Sequence, residues 1–349
     1  MSLVQLRTAP KSGAAPATGP LVDPQARRVR YLRVSLTDRC NYRCTYCMPE
    51  DGVDRVARAD LLTLEEVAEV VRAFAAWGVE RVRLTGGEPT VRRGLVDLVA
   101  ALAAIPVEVV LTTNGSRLAE LAAPLRQAGL AGLTVSLDSL DPARFAAITR
   151  RGVLAEVLDG LEAAQAAGFR AIKLNTVAVR GFNDDELAAL AFWAWDRGHV
   201  PRFIEVMPMA GGRLYVPGEL MPAAEIRDRL AAAGAPLVPD AGEGVKGLGP
   251  ATYWRVAAGP HAGRRLGVIA PMTENFCATC NRLRLSATGS LHNCLARDDA
   301  GDLRSSLRSG DPDALAARVR AILGHKRHGH EFTLDGHGGP NKAMISIGG

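Results

Sequence analysis

With 349 residues, 48% of them hydrophobic and only 5% aromatic, the chain can build one large core or two ordinary ones, and its aromatic-poor makeup suits helices packed on a sheet. A formal net charge of +5 is too mild to imply nucleic-acid binding, although it suits an anionic small substrate if the charges converge on one site. No apolar run approaches the roughly 20 residues of a membrane span, and residues 1–26, rich in Ala, Pro, Gly and Ser, carry no apolar signal-peptide region, so the chain reads as cytoplasmic and not membrane-bound.

In chain order, residues 1–27 read as a disordered tail. Residues 28–215 show a strand–helix rhythm. Strands are expected at Tyr31–Leu36, Arg81–Leu84, Val107–Leu111, Leu133–Leu137, Ala171–Val177 and Arg202–Met207, each short and rich in Val, Ile, Leu or Thr. Helical patterns lie between them at Thr63–Trp77, Gly94–Ala104, Ser116–Ala128, Asp141–Ile148, Val153–Ala167 and Asp184–Asp196, several ending near a glycine. Six β–α units in series favour a parallel sheet with helices outside, two units short of a closed eight-unit barrel. Residues 216–349 lose this rhythm and read as a second, α+β unit, with a helix at Pro222–Ala232, strands at Thr252–Val256 and Arg265–Ile269, and a helix near Ala314–Leu323.

The parity of the strands says what the sheet faces. Leu32, Val34 and Leu36 alternate with Arg33, Ser35 and Thr37; Val82 and Leu84 alternate with Arg81, Arg83 and Thr85. The same alternation separates Leu133, Val135 and Leu137 from Thr134, Ser136 and Asp138, and Ile172 and Leu174 from Lys173 and Asn175. A parallel sheet covered on both faces reads as nearly continuous apolar runs. Here one face is polar and cationic, and charges in a packed interior are costly. The expected architecture is therefore an incomplete six-unit β/α barrel around a polar cavity.

The chain has six cysteines, in two triplets: Cys40, Cys44 and Cys47, spaced C-x3-C-x2-C, and Cys277, Cys280 and Cys294, spaced C-x2-C-x13-C. Clustered thiols in a reducing compartment point to metal or redox chemistry rather than disulfides. A [4Fe–4S] cube usually takes four thiolates, so a triplet leaves one iron with an open position, which is a catalytic feature. For the second triplet alone, a zinc site completed by His292 is an equally good drawing. No serine, histidine and aspartate set suggests a hydrolytic triad. His325, His328 and His330 sit in a basic loop and read as solvated.

The first triplet, placed after the first strand and with Tyr46 before its last cysteine, resembles that of the radical S-adenosylmethionine enzymes, as does Gly86-Gly87-Glu88-Pro89 after the second strand. The segments Asp38–Glu50, Arg83–Thr90, Thr112–Gly115, Ser136–Leu140, Arg202–Met207 and Asn281–Leu285, with the terminal Gly348-Gly349, are similar to the GTP 3′,8-cyclases of molybdenum cofactor biosynthesis, from about Arg30 to the C-terminus. The resemblance implies two [4Fe–4S] clusters: one on Cys40, Cys44 and Cys47 that generates a radical from S-adenosyl-L-methionine, and one on Cys277, Cys280 and Cys294 that binds the guanine of GTP. It assigns Tyr46, Gly87, Ser136 and Met207 to S-adenosylmethionine, and Arg33, Arg83, Thr112, Lys173, Arg282 and Arg284 to GTP, with Arg202 as a weaker candidate. The implied reaction removes the C3′ hydrogen of GTP through a 5′-deoxyadenosyl radical and gives (8S)-3′,8-cyclo-7,8-dihydroguanosine 5′-triphosphate. A flavodoxin or ferredoxin as reductant, cyclic pyranopterin monophosphate synthase downstream, a homodimer, and a C-terminus that threads into the active site belong to the same implication. The alternative is a twin-cluster radical enzyme that modifies a peptide or sulfatase, which has no need of the Arg282-Leu283-Arg284 pair.

Overall fold

The computed structural model describes residues 19–53, 56–210, 215–240 and 248–347. The N-terminal half is β1 (Tyr31–Ser35), α1 (Leu64–Ala76), β2 (Arg81–Thr85), α2 (Leu95–Ala103), β3 (Glu108–Thr113), α3 (Leu118–Gln127), β4 (Gly132–Ser136), α4 (Pro142–Thr149), α5 (Leu154–Ala166), β5 (Lys173–Ala178), α6 (Leu187–Asp196) and β6 (Val200–Glu205). After it come α7 (Ala223–Ala232), β7 (Leu237–Pro239), β8 (Thr252–Val256), β9 (Arg265–Ile269), β10 (Arg282–Leu285), β11 (Ser290–His292), β12 (Ala300–Asp302), α8 (Arg304–Arg308) and α9 (Pro312–Leu323).

Strands β1 to β6 pair in sequence order and in parallel, as expected for serial β–α units. The C-terminal strands join the same sheet at both ends. β10 pairs in parallel with β1 and continues antiparallel into β11 and β12; β9 pairs in parallel with β6 and continues antiparallel into β8 and β7. The order β12-β11-β10-β1-β2-β3-β4-β5-β6-β9-β8-β7 is an open sheet, not a closed barrel.

Local chemistry explains the element ends. Helix α1 opens on a capping box: Thr63 Oγ1 accepts from the Glu66 amide at 3.1 Å, and Glu66 Oε2 accepts from the Thr63 amide at 2.8 Å. It closes at Gly78, whose φ of +92° suits the left-handed turn. Val67, Val70, Val71 and Phe74 recur at helical spacing and are buried. They share one core with Leu32, Val34, Val82, Leu84, Leu111 and Val135, the apolar parity of β1 to β4. Full burial of each such aliphatic contributes about 1.5–3 kcal/mol.

Two expectations need correction. The disordered tail fails for residues 19–27. Leu21 is fully buried, its amide donates to Trp77 O and its carbonyl accepts from Val29, and Arg27 is paired with a buried Asp23 at 2.6 Å. One apolar side chain and one ion pair order a segment whose composition reads as loose; residues 1–18 lie outside the described residues. The last β strand begins at Val200 rather than Arg202, because Val200 already donates to Ile172 O and Pro201 is accommodated in the pairing with β5. The chain leaves the sheet after Glu205, whose buried carboxylate accepts from the amides of Ala223, Met272 and Thr273. The missed strands β7, β10, β11 and β12 are three or four residues long, too short for a periodicity to show.

Candidate active site

The polar parity of the strands faces a cavity, and the register aligns its charges. Arg284 of β10 stands beside Arg33 of β1, which stands beside Arg83 of β2. Neighbouring strands lie about 4.8 Å apart, so three guanidinium stems form one row. Arg282, two residues before Arg284, stands beside Tyr31, which in turn pairs with Arg81. Across the cavity are Lys173 of β5 and Arg202 of β6. All of these side chains, with Thr112 and Ser136, line the space.

Neutral partners fix Arg83 and Arg202 without cancelling their charge. Arg83 donates to the Tyr31 phenol and, at 2.9 Å each, to Thr112 Oγ1 and Thr134 Oγ1. Arg202 donates to Asn175 Oδ1 at 2.9 Å and Thr134 Oγ1 at 3.3 Å. Burial, and then crowding by like charge, disfavours the protonated form of several of them. Burial first, and then the charge of Arg284, holds Arg33 well below the usual guanidinium range. Burial and then Arg282 bring Arg284 to about 10, and burial followed by Arg202 and Arg83 brings Lys173 to about 8. An arginine keeps its proton at neutral pH, so these partly desolvated like charges favour an anion between them. Burial works to raise the Tyr31 phenol, but Arg83 and Arg33 outweigh it and bring it to about 8.

The second triplet opens on the same cavity. Cys277 and Cys280 lie in the turn before β10, and the antiparallel return of β11 brings Cys294 back beside them; Cys277, Cys280 and Cys294 all line the space. The hairpin is thus what closes the x13 spacing. Arg282 lies over the Phe276 ring, 5.0 Å from its centroid. Behind the triplet, Lys326 Nζ donates to Arg282 O and Asn293 O, and Arg27 donates to Cys277 O at 2.6 Å. Burial raises the Cys280 thiol, yet Arg282 and Lys326 outweigh it and bring it down to about 7. Among the described residues no three of His, Cys, Asp and Glu gather around one point for a single metal ion, whereas a cube spreads its thiolates over several irons.

The first triplet is built into the loop after β1. Its Asn41 accepts from Asn114 Nδ2 at 2.8 Å and donates to Ser116 Oγ at 2.9 Å, tying the loop to the end of β3. The buried Glu88 accepts from Thr90, Thr113 and the Asn114 amide, locking the Gly86–Pro89 turn to the same strand end. Tyr46 donates to Asp138 at 2.7 Å. Burial, and then the neighbouring thiols, push Cys44 well above the usual thiol range and Cys47 up to about 12; burial takes Cys40 to about 11. Three adjacent thiols that cannot ionise together without a cation fit an iron–sulfur cluster.

The sequence-assigned residues divide into two groups. Tyr46, Ser136 and Met207 line the cavity with the six GTP candidates. The first triplet and Gly87 are outside that lining; Ile345 of the C-terminal segment packs with Met48, Cys40 and Cys47 and approaches Gly87, while the adjacent Met344 lines the cavity. Position 87 has no room for a side chain: a Cβ there would run into the Arg39 carbonyl, and the Gly87 amide donates to Thr37 O at 2.7 Å. His330 is not solvated; it bonds Pro271 O at 2.8 Å and lines the cavity. Gly348-Gly349 lies outside the described residues. Sequence reading missed Tyr31, Tyr253, Phe276, Arg27 and Lys326. Tyr31 shares the parity of Arg33 and could have been found; Lys326 carries no such signal.

Residues 34–194 match the Radical SAM superfamily and residues 200–332 match Molybdenum Cofactor Synthesis C. A GTP 3′,8-cyclase of Paracoccus denitrificans is 46% identical, over 91% of this chain and 92% of its own. One from Pseudomonas entomophila is also 46% identical, over 90% of this chain and 94% of its own. The chain belongs to the GTP 3′,8-cyclase family. Its radical SAM portion brings an iron–sulfur cluster and S-adenosylmethionine as the family's cofactors. In fold it is similar to Streptococcus suis SuiB bound to S-adenosylmethionine, at 14% identity and a TM-score of 0.58 over 84% of this chain and 68% of that one. Among the described residues no helix is long and apolar enough to cross a membrane.

Proposed function

We propose that this chain converts GTP to (8S)-3′,8-cyclo-7,8-dihydroguanosine 5′-triphosphate, in molybdenum cofactor biosynthesis. The observation that carries the reading is the row Arg284–Arg33–Arg83, half-buried at Arg284 and Arg33 and buried at Arg83, mutually repelling, and sharing a cavity with three free thiols. A triphosphate relieves that repulsion, and guanidinium forks match phosphate oxygens. Bound to Cys40, Cys44 and Cys47, an iron–sulfur cluster with S-adenosylmethionine supplies a 5′-deoxyadenosyl radical able to take the ribose C3′ hydrogen. The rest of the work is placement. Arg33, Arg83, Lys173, Arg282 and Arg284 hold the triphosphate, with Thr112 as a neutral partner that also fixes Arg83. Cys277, Cys280 and Cys294 hold a second [4Fe–4S] cluster at the guanine end. Tyr46, Ser136, Met207 and the Gly87 backbone form the S-adenosylmethionine side. Keeping both ends of one nucleotide fixed brings C3′ and C8 into reach of each other.

A flavodoxin- or ferredoxin-type electron donor, delivery of the product to cyclic pyranopterin monophosphate synthase, a homodimeric assembly and a cytoplasmic setting go with this reading. The test is an anaerobic reaction of the full chain with S-adenosylmethionine and GTP deuterated at C3′. Deuterium is expected in 5′-deoxyadenosine. Cleavage of S-adenosylmethionine with the label retained on GTP would overturn the substrate assignment.

A further inference from the structure

Lys326 lies just after α9 and is the least expected charge in the molecule. Its side chain is almost fully buried, at 4% exposure, and an isolated ammonium in such a place is costly. An ammonium has three donors, and here each has an acceptor: Cys280 Sγ at 3.6 Å, Arg282 O at 2.7 Å and Asn293 O at 2.8 Å. These acceptors belong to the segments that carry the second triplet: the turn of Cys280, the first residue of β10, and the residue before Cys294. Among the described residues no carboxylate forms an ion pair with Lys326, so the Cys280 sulfur is the anionic partner within reach. Other thiols receive neutral amides instead: Cys294 Sγ accepts from Ala296 N at 3.4 Å and Cys40 Sγ from Tyr42 N at 3.3 Å.

We propose that Lys326 is a positioning residue for the second cysteine triplet, fixing the Cys280 thiolate and raising the reduction potential of the cluster held there. The proposal rests on the reading of Cys277, Cys280 and Cys294 as cluster ligands. Hydrogen bonds to the sulfurs and net charge nearby set the potential of an iron–sulfur cluster, and an ammonium favours the form that carries the extra electron. Two carbonyl acceptors hold the ammonium against the sulfur, so the bond needs no induced movement. The same two carbonyls tie Arg282 and Asn293 together, so the lysine also fixes the spacing between the start of β10 and the return to Cys294.

The test is anaerobic redox titration of the reconstituted full-length chain, followed by electron paramagnetic resonance, for wild type, Lys326→Met and Lys326→Arg. Iron content of the wild type comes first. About eight irons per chain supports the second cluster, while about four, on the first triplet only, overturns both that reading and this proposal before any variant is made. With both clusters present, Lys326→Met is expected to move the second centre to a more negative potential and leave the first unchanged, and Lys326→Arg to recover part of the shift. An unchanged second potential in Lys326→Met at full iron content overturns the proposal. If Lys326→Met fails to fold or to hold its second cluster, wild-type protein labelled with 15N-lysine decides. A lysine nitrogen coupled to the second centre in electron–nuclear double resonance supports the contact, and no such coupling overturns it.

Discussion

Asp138 is a carboxylate whose surroundings pull in opposite directions. Burial pushes its carboxyl up to about 6, against hydrogen bonds from Tyr46 Oη and the Val177 amide that favour the ionised form. In the unfolded chain an aspartate ionises near about 3.9. The folded pKa is the higher one, so the group's contribution to stability is fully present below about pH 4 and is lost as pH rises through about 6. An asparagine in its place would offer Oδ1 to the Val177 amide and Nδ2 to the Tyr46 oxygen, with no charge at any pH. Asp138→Asn is therefore expected to flatten the stability profile between pH 4 and 7 and to gain up to roughly 3 kcal/mol at pH 7 in the cluster-free chain. Urea unfolding at a series of pH values measures this; a variant profile parallel to wild type would place the pH dependence elsewhere. Tyr46, by contrast, is a phenol pushed well above its usual range, first by burial and then by the Asp138 charge, so it remains the donor in this pair.

At the scale of an element, β10 matters out of proportion to its four residues. Leu283 and Leu285 are buried in the main core, which fixes the outward parity of Arg282 and Arg284. A slip of one residue would turn both arginines into the core, so the parallel pairing with β1 is what aims them at the cavity. The double variant Arg282→Ala/Arg284→Ala removes two charge-assisted contacts, each about 1.5–3 kcal/mol. GTP affinity is expected to fall by at least about 100-fold, measured by calorimetry on the reconstituted chain. Arg72→Ala, on the exposed face of α1, is the control and is expected to bind as wild type. Equal affinity in the double variant would remove the triphosphate from this row and revive a peptide-modifying reading.

At the scale of the molecule, segments distant in sequence meet at the second triplet. Arg27 precedes β1, yet its guanidinium donates to Cys277 O at 2.6 Å, Arg327 O at 2.8 Å and His328 O at 2.9 Å, while its pair with Asp23 is nearly inaccessible to water. One side chain thus clamps the cysteine turn to the loop after α9. Arg27→Ala removes the guanidinium donor to Arg327 O and His328 O, one of two donors to Cys277 O, and the cation beside the buried Asp23, whose Oδ1 keeps its backbone donors; a hydrogen bond to a charged group is worth about 1.5–3 kcal/mol. Hydrogen exchange is expected to accelerate in residues 277–280 and 327–330 while α1 and β2 keep their protection. Uniform acceleration would mean global destabilisation; no change would mean that the clamp contributes nothing. The same convergence places the C-terminal segment over the first triplet, so each triplet is covered by the opposite end of the chain.

Much of this was legible in one dimension. Alternation at period two identified which residues of β1, β2, β4 and β5 face the cavity, because an apolar face packed under helices leaves the other face its polar parity. The cysteine spacings and the Gly86–Pro89 turn identified the chemistry, because those residue types have few other uses together. Register was not legible: nothing local says that β10 lies beside β1, and only that pairing puts Arg284 next to Arg33 and Arg83. Nor were the Leu21–Arg27 segment and Lys326, whose roles depend on partners about 250 and 46 residues away in sequence. Composition made the first look disordered, and nothing local singled out the second. Sequence by itself determined the kinds of element, the faces of the strands and the two sets of thiols, since these follow from side-chain chemistry and short-range periodicity. Only the tertiary structure decided which charges stand side by side and what covers each triplet, since those are contacts between strands and loops that the chain brings together only by folding.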